Sequence, residues 1–306
     1  MSGCAVNKAT GEGRAPMSRP ERGRRHRGRR ALGITILGVI VITVGALLAD
    51  TVIAMRTEHG FSRALRESDR VTYDPEVTIS GFPFVTHARD GAFDGAVITA
   101  RGVSIPCPPP GDCHAELGAS LGAFSVPDGF RIGPSDIVHT ASVDAHTRLD
   151  SVNLGRMLGI LDLTVNTPAP VDRAGAGGPG DGLLTRTSGV LLTGTVPLPP
   201  FQPDNPVPPS ASTYTGPKVK VSVVVDLSVI AGRLRLTATD FYRGPEEHVD
   251  AEVADDLRSY VLSRFTATLP PLPMPWDIRP TEANSEGSDV LVKGTEGPAD
   301  LIPRDF

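Results

Sequence analysis

The chain has 306 residues, 40% of them hydrophobic, and a formal net charge of −5. Residues 1–30 hold nine basic side chains against Glu12 and Glu21, a local charge of +7, so residues 31–306 carry −12. An acidic surplus of that size excludes the basic footprint by which proteins grip nucleic acid, and it disfavours a purely electrostatic hold on an anionic membrane surface.

Residues 1–30, with Lys8 and eight arginines from Arg14 to Arg30, read as a disordered cytoplasmic tail. From Ala31 to Ala49 there follow nineteen residues without a charged side chain. At ~1.5 Å rise per residue a helix of that length matches the ~30 Å hydrocarbon core. The excess of arginine ahead of it sets the N-terminus in the cytoplasm and everything beyond Asp50 outside, by the positive-inside rule. An uncleaved anchor is favoured over a signal peptide, because the run exceeds the ~7–15 residues of a signal's apolar region and Leu47 stands where a small residue would precede a cut after Ala49.

Beyond the run, Ile53, Phe61, Ala64, Leu65 and Ser68 share one helical face across Asp50 to Asp69, weakened at Gly60 and stopped at Asp74-Pro75. Val77 and Ile79 then alternate on odd positions, while Phe82 and Phe84 sit on even ones. A strand that changes phase at a bulge or corner around Gly81-Phe82-Pro83 is predicted. Gly91 opens a turn into a second strand, which sets Val97, Thr99, Arg101, Val103 and Ile105 on one face. Ala96, Ile98, Ala100, Gly102 and Ser104 make up the other, small-residue face.

Cys4 lies in the tail, whereas Cys107 and Cys113 flank a Pro- and Gly-rich turn outside the membrane. A disulfide between them is predicted, since no further cysteine or histidine pair completes a metal site. Ile137 to Leu149 reads as one long strand with His139 on its apolar side. A helix follows, capped by Asp150 or Ser151 and carrying Val152, Leu154, Met157, Leu158 and Leu161.

Asp172–Gly182 and Pro197–Pro217 read as exposed loops, with a strand pair turning near Ser188-Gly189 between them. The clearest β signal is the row Val219, Val221, Val223, Val225, Leu227 and Val229, turned at Ala231-Gly232 into a partner with Leu234, Leu236 and Ala238. Pro245, Glu246, Glu247 and Asp250 suit the start of a helix whose apolar stripe is Val249, Val253, Leu257, Val261 and Phe265. The proline-rich Thr268–Pro280 reads as an irregular edge. A hairpin from about Trp276 to Gly294 closes the fold.

Catalytic signatures do not emerge. The sequence holds no G-x-S-x-G, no P-loop and no H-E-x-x-H, and His139 and His146, seven residues apart on a strand, point to opposite faces. No cofactor, metal or catalytic residue is expected, and a non-enzymatic protein is. A long apolar sheet curled around a helix can enclose a tube for an acyl chain, each buried CH₂ contributing ~0.8 kcal/mol. A filled core without a ligand fits the same pattern.

The segments VTISGFPFVT, ARDGAFDG and AVITARGVSI, between Val77 and Ile105, resemble the start of the actinobacterial LmeA-like family of exported lipid-binding proteins related to mannan chain-length control. The resemblance extends in pattern from about Asp50 to Gly294. It implies an α+β, TULIP-like (BPI-like) fold in which a long curved antiparallel sheet wraps one or two helices, here behind a single transmembrane helix. It also implies a phospholipid or glycolipid as partner. The expected organisation is a tail (1–30), an anchor (31–49), a lipid-binding domain (50–296) and a C-terminal tail (297–306). Phe82, Phe84, Val221, Val223, Val225, Leu227, Leu257, Val261 and Phe265 are the expected cavity lining. The alternative is a structural or protein-interaction domain of the envelope that uses its Pro-rich edges.

Overall fold

The computed structural model describes residues 22–108, 112–166, 189–199, 210–242 and 253–306. The expectations for the tail before residue 22, for Pro109–Gly111, for the strand at 183–188, for Asp172–Gly182, for most of Pro197–Pro217 and for Pro245–Asp250 fall outside those residues. The chain divides into two units, Met1–Ala49 and Asp50–Phe306.

Helix α1 (Arg22–Arg66) begins in the first unit. From Leu32 to Leu48 its apolar side chains are exposed on every side, a state that water penalises and lipid does not. Among the described residues it is the helix long and apolar enough to cross a membrane.

In the second unit α1 becomes one-sided. Thr57, Phe61, Ala64 and Leu65 are buried, and Gly60 does not interrupt the helix. The Ser62 hydroxyl donates to the Pro75 carbonyl at 2.6 Å, and that of Ser68 to the Phe306 carbonyl at 2.7 Å. Strand β1 (Glu76–Ser80) leads to α2 (Phe84–Asp90), then β2 (Ala92–Phe93), β3 (Gly95–Ile105), β4 (Cys113–Leu121), β5 (Phe124–Ser125), β6 (Val138–Thr140) and β7 (Val143–Asp150). Next come α3 (Ser151–Leu158), β8 (Leu161–Asn166), β9 (Gly189–Pro197), β10 (Lys218–Ile230), β11 (Arg233–Phe241), α4 (Asp255–Arg264) and β12 (Ala267–Thr268). A 3₁₀ turn at Pro275–Asp277 precedes β13 (Glu282–Glu286), β14 (Asp289–Glu296) and β15 (Ala299–Leu301).

The described strands form three antiparallel sheets, ordered β1-β3-β4-β7-β14-β13, β12-β11-β10-β9-β8 and β15-β6-β5-β2. The fold is thus α+β, with large antiparallel sheets and packed helices behind an apolar N-terminal helix, consistent with a TULIP-like architecture. The strand content expected as one long sheet is shared mainly between the six- and five-stranded sheets.

Several local expectations are corrected. Past the corner at Gly81 (φ +143) the chain enters helix α2 rather than another strand, and Gly91 ends that helix in the left-handed region at φ +64. In β3 the pairing with β4 slips between Ala100 and Val103, with Gly102 at φ +72. This bulge moves the core face from Ala96, Ile98 and Ala100 to Val103 and Ile105, so neither uninterrupted face exists.

The 137–149 strand is likewise two strands. Ala141 and Ser142 break it, so that Val138 and Thr140 are buried and His139 faces solvent against Asp300 at 2.6 Å, not the apolar side. Beyond the break the odd row Val143, Ala145, Thr147 and Leu149 is buried as expected. Asp150 caps α3 by accepting from the Asn153 amide at 2.7 Å. Val152 points outward, and Leu161 belongs to β8, because Gly159 (φ +64) has already ended the helix.

Helix α4 starts at Asp255, with Asp255 and Asp256 in its first turn, and Val253 lies ahead of it rather than in its stripe. Thr268–Pro280 is no exposed edge, since Leu269, Leu272, Met274 and Ile278 are buried. The first strand of the last hairpin begins at Glu282 rather than Trp276. Residues 297–306 hold β15 and the fully buried Phe306, whose ring meets Trp276 edge-on at 4.9 Å.

Candidate functional site

The apolar row of β10 sets the site. Thirteen residues of alternating Val and polar side chains favour a strand of about 43 Å at ~3.3 Å per residue. Val221, Val223, Val225 and Leu227 are buried. Residues directly opposite in a ladder share a face. Val190, Leu192 and Gly194 of β9 therefore stand beside Val225, Val223 and Val221, and Leu236 of β11 beside Leu227. Gly194 is required there, because a β-carbon would lie 2.5 Å from the Ile160 side chain. On the opposite face the buried hydroxyls of Thr193 and Ser222 satisfy one another at 2.7 Å.

Helix α4 is fixed at several points. Val261 and Phe265 are fully buried, and the Tyr260 hydroxyl donates to the Pro197 carbonyl at 3.2 Å. Arg258 stacks 4.6 Å above the Phe241 ring, and Arg264 donates to the Leu158 carbonyl at the end of α3 at 3.1 Å. One helix is thereby tied to β9, β11 and α3.

Of the residues expected to line a cavity, Phe84, Val221, Val223, Val225, Leu227, Val261 and Phe265 join one continuous buried cluster. Leu257 is half-buried, and Phe82 is 72% exposed. The same cluster takes in Leu269, Leu272 and Met274 from the proline-rich segment, which by sequence alone reads as an irregular edge. Their spacing carried the signal: Leu269 and Leu272 are three apart, one turn of a polyproline II helix, and so share a side. Thr147 donates its hydroxyl to the Pro273 carbonyl, and the Leu269 amide donates to the Leu234 carbonyl at 2.9 Å. The segment thus straps the five-stranded sheet to the six-stranded one.

Cys107 and Cys113 are joined by a disulfide, as expected, with α-carbons 5.4 Å apart. Near that loop a pocket of about 510 Å³ opens at the surface, lined by Asp69, Arg70, Ser104, Leu272 and Asp277 among others. None of the nine expected lining residues borders it. Arg70 is already engaged by Asp277 at 2.7 Å and the Met274 carbonyl at 3.1 Å, and the lining sets two carboxylates, Asp69 and Asp277, against that one guanidinium. A net charge of −1 makes this a poor seat for a phosphate.

Nothing in the apolar cluster supplies a nucleophile with a base. Among the described residues no group of three His, Cys, Asp or Glu side chains is placed to hold a metal. His146 has its pKa lowered by burial, and next by the nearby Arg148 and Lys293 charges, against weaker opposing pulls from Glu116 and Glu286. Its ring fills the space over Gly118, where a β-carbon would lie 2.2 Å away. That is a packing role. An interior of branched aliphatic and aromatic side chains can bind hydrocarbon.

Residues 48–295 match the profile of a family described as LmeA-like phospholipid-binding. Comparison with curated proteins and with solved structures yields no match.

Proposed function

The chain belongs to the LmeA-like phospholipid-binding family, and from that premise we propose that it is a membrane-anchored, extracytoplasmic protein that holds the acyl chains of a phospholipid or glycolipid. The chains lie along the apolar face of β9, β10 and β11 beneath α4, with Val221, Val223, Val225, Leu227, Leu257, Val261 and Phe265 as their contacts. Phe84 supports that interior, and Phe82, at the surface, serves where lipid enters. The role is binding and not catalysis, and it serves synthesis of envelope lipoglycan.

The observation that carries the reading is the unbroken apolar row of β10 continued across β9 and β11, since hydrocarbon gains on the order of 25 cal/mol for each Å² it buries there. The anchor and its direction rest on the charge-free run after the arginine-rich tail. A filled envelope domain that binds proteins through its Pro-rich edges is the weaker reading, because Leu269, Leu272, Met274 and Ile278 of Thr268–Pro280 are spent inside the fold.

The test uses the full chain with a phospholipid carrying a photoactivatable acyl chain. Cross-links are expected on peptides from Val219–Val229 and Leu257–Phe265, and solvent extraction should release bound lipid. Cross-links confined to Ala31–Ala49, with no lipid extracted, would defeat the proposal.

A further inference from the structure

We propose that the corner at Gly81–Val85 is a membrane-docking tip, which inserts Phe82 and Val85 into the interfacial zone of the leaflet next to the anchor. It rests on the anchor and not on the acyl-chain interior. Phe82 is 72% exposed and Val85 39%, an unfavourable display for side chains of this size in water.

Their height is set by Asp50, the first charged residue after the apolar run. Its carboxylate accepts from the Phe84 amide at 2.9 Å and from the Val85 amide at 2.7 Å. The run of nineteen residues spans ~28 Å as a helix, so Asp50 stands where the ~30 Å hydrocarbon core ends. The corner bonded to Asp50 is therefore held at the interface, a zone of roughly 5–7 Å on each side.

Further exposed apolar residues follow Asp50 on α1 itself. Val52 (47% exposed) and Met55 (63%) rise ~3 and ~7 Å beyond Asp50 along α1. At ~100° per residue they point to the side of α1 away from the one on which Asp50 meets α2. Apolar side chains on opposite sides of a helix do not make a groove for a peptide. A bilayer, which surrounds the helix, covers both.

The unit from Asp50 onward is acidic, so the hold must be apolar and insensitive to salt. Phe82 stands outside the buried cluster. The Gly81 corner carries it there, because the β-carbon that any other residue would add at 81 lies 2.9 Å from the His87 ring.

The full chain, reconstituted in phosphatidylcholine–phosphatidylglycerol vesicles, reports the contact through Phe82→Trp and, independently, Val85→Trp. Flotation with the vesicles reads the anchor separately. Vesicles with brominated acyl chains should lower the added fluorescence about two-fold for an indole seated 5–10 Å into the interface, equally in low and high salt. The parent, whose single tryptophan is Trp276, and Val97→Trp, at an exposed apolar position on β3, should change little. Quenching at 82 and 85 no greater than at 97, in a chain that floats, overturns the proposal. So does a concentration-dependent blue shift without bromolipid quenching, which would assign the tip to a second copy of the chain.

Discussion

Phe82 and Phe84 stand two residues apart in the motif that most resembles the family, yet the structure gives them opposite roles. Phe84 is 3% exposed, its ring lying 5.4 Å from Phe93, which in turn stacks at 5.0 Å on Phe124. Truncating Phe84 to alanine removes about 1.5–3 kcal/mol of transfer free energy and leaves a cavity between α2 and β2, for a total near 3–5 kcal/mol. Phe82→Ala removes an exposed ring and should change stability by no more than ~0.5 kcal/mol. With a urea slope of ~3 kcal/mol/M, the Phe84→Ala midpoint should fall by about 1–1.7 M and that of Phe82→Ala by less than ~0.2 M. Unfolding of the full chain in detergent, followed by the emission of its single tryptophan, measures both. Equal shifts, or a larger one for Phe82→Ala, would refute the assignment of one ring to the core and the other to the surface.

Asp50→Ala, which strips two amides at the start of α2 of their acceptor, should cost about 1 kcal/mol, whereas Asp50→Asn should cost less; thermal unfolding separates them. Replacing Cys107 and Cys113 by serine opens a short loop closed over a separation of 6, and loop entropy puts the loss at about 2 kcal/mol; a denaturant midpoint unchanged by reductant in the parent would contradict this. His146 titrates below its ordinary value of 6.5 when folded, so the unfolded chain binds more protons around that pH. Stability should be full above pH 6.5 and decline as pH falls from there through the lowered folded pKa, and His146→Gln should flatten that decline in urea titrations. Gly118→Ala drives a β-carbon into the His146 ring and should destabilise by roughly 1–3 kcal/mol, an effect that His146→Ala in the same chain should relieve.

What the residues determine alone is whatever depends on near neighbours in the chain. The charge-free run after an arginine-rich tail marks a candidate membrane helix, because length and polarity are local properties. The row from Val219 to Val229 with its turn at Ala231-Gly232, the Asp150 cap of α3 and the Cys107–Cys113 pairing were legible for the same reason. Helix α2 was legible too, with Pro83 before its first residue and Gly91 after its last, but the alternation of Val77 and Ile79 obscured it. Only the tertiary structure decides the rest. The bulge at Gly102 inverts which face of β3 is core, and the break at Ala141-Ser142 turns His139 out to Asp300. The prolines of 268–280 become an internal strap only because Leu234 and Thr147 lie where the chain returns to meet them. A strand at the Phe82-Pro83-Phe84 corner would have set both rings on one side, and the turn into α2 parts them. Periodicity tells which side chains share a face, but which face meets protein, water or lipid depends on partners far away in sequence.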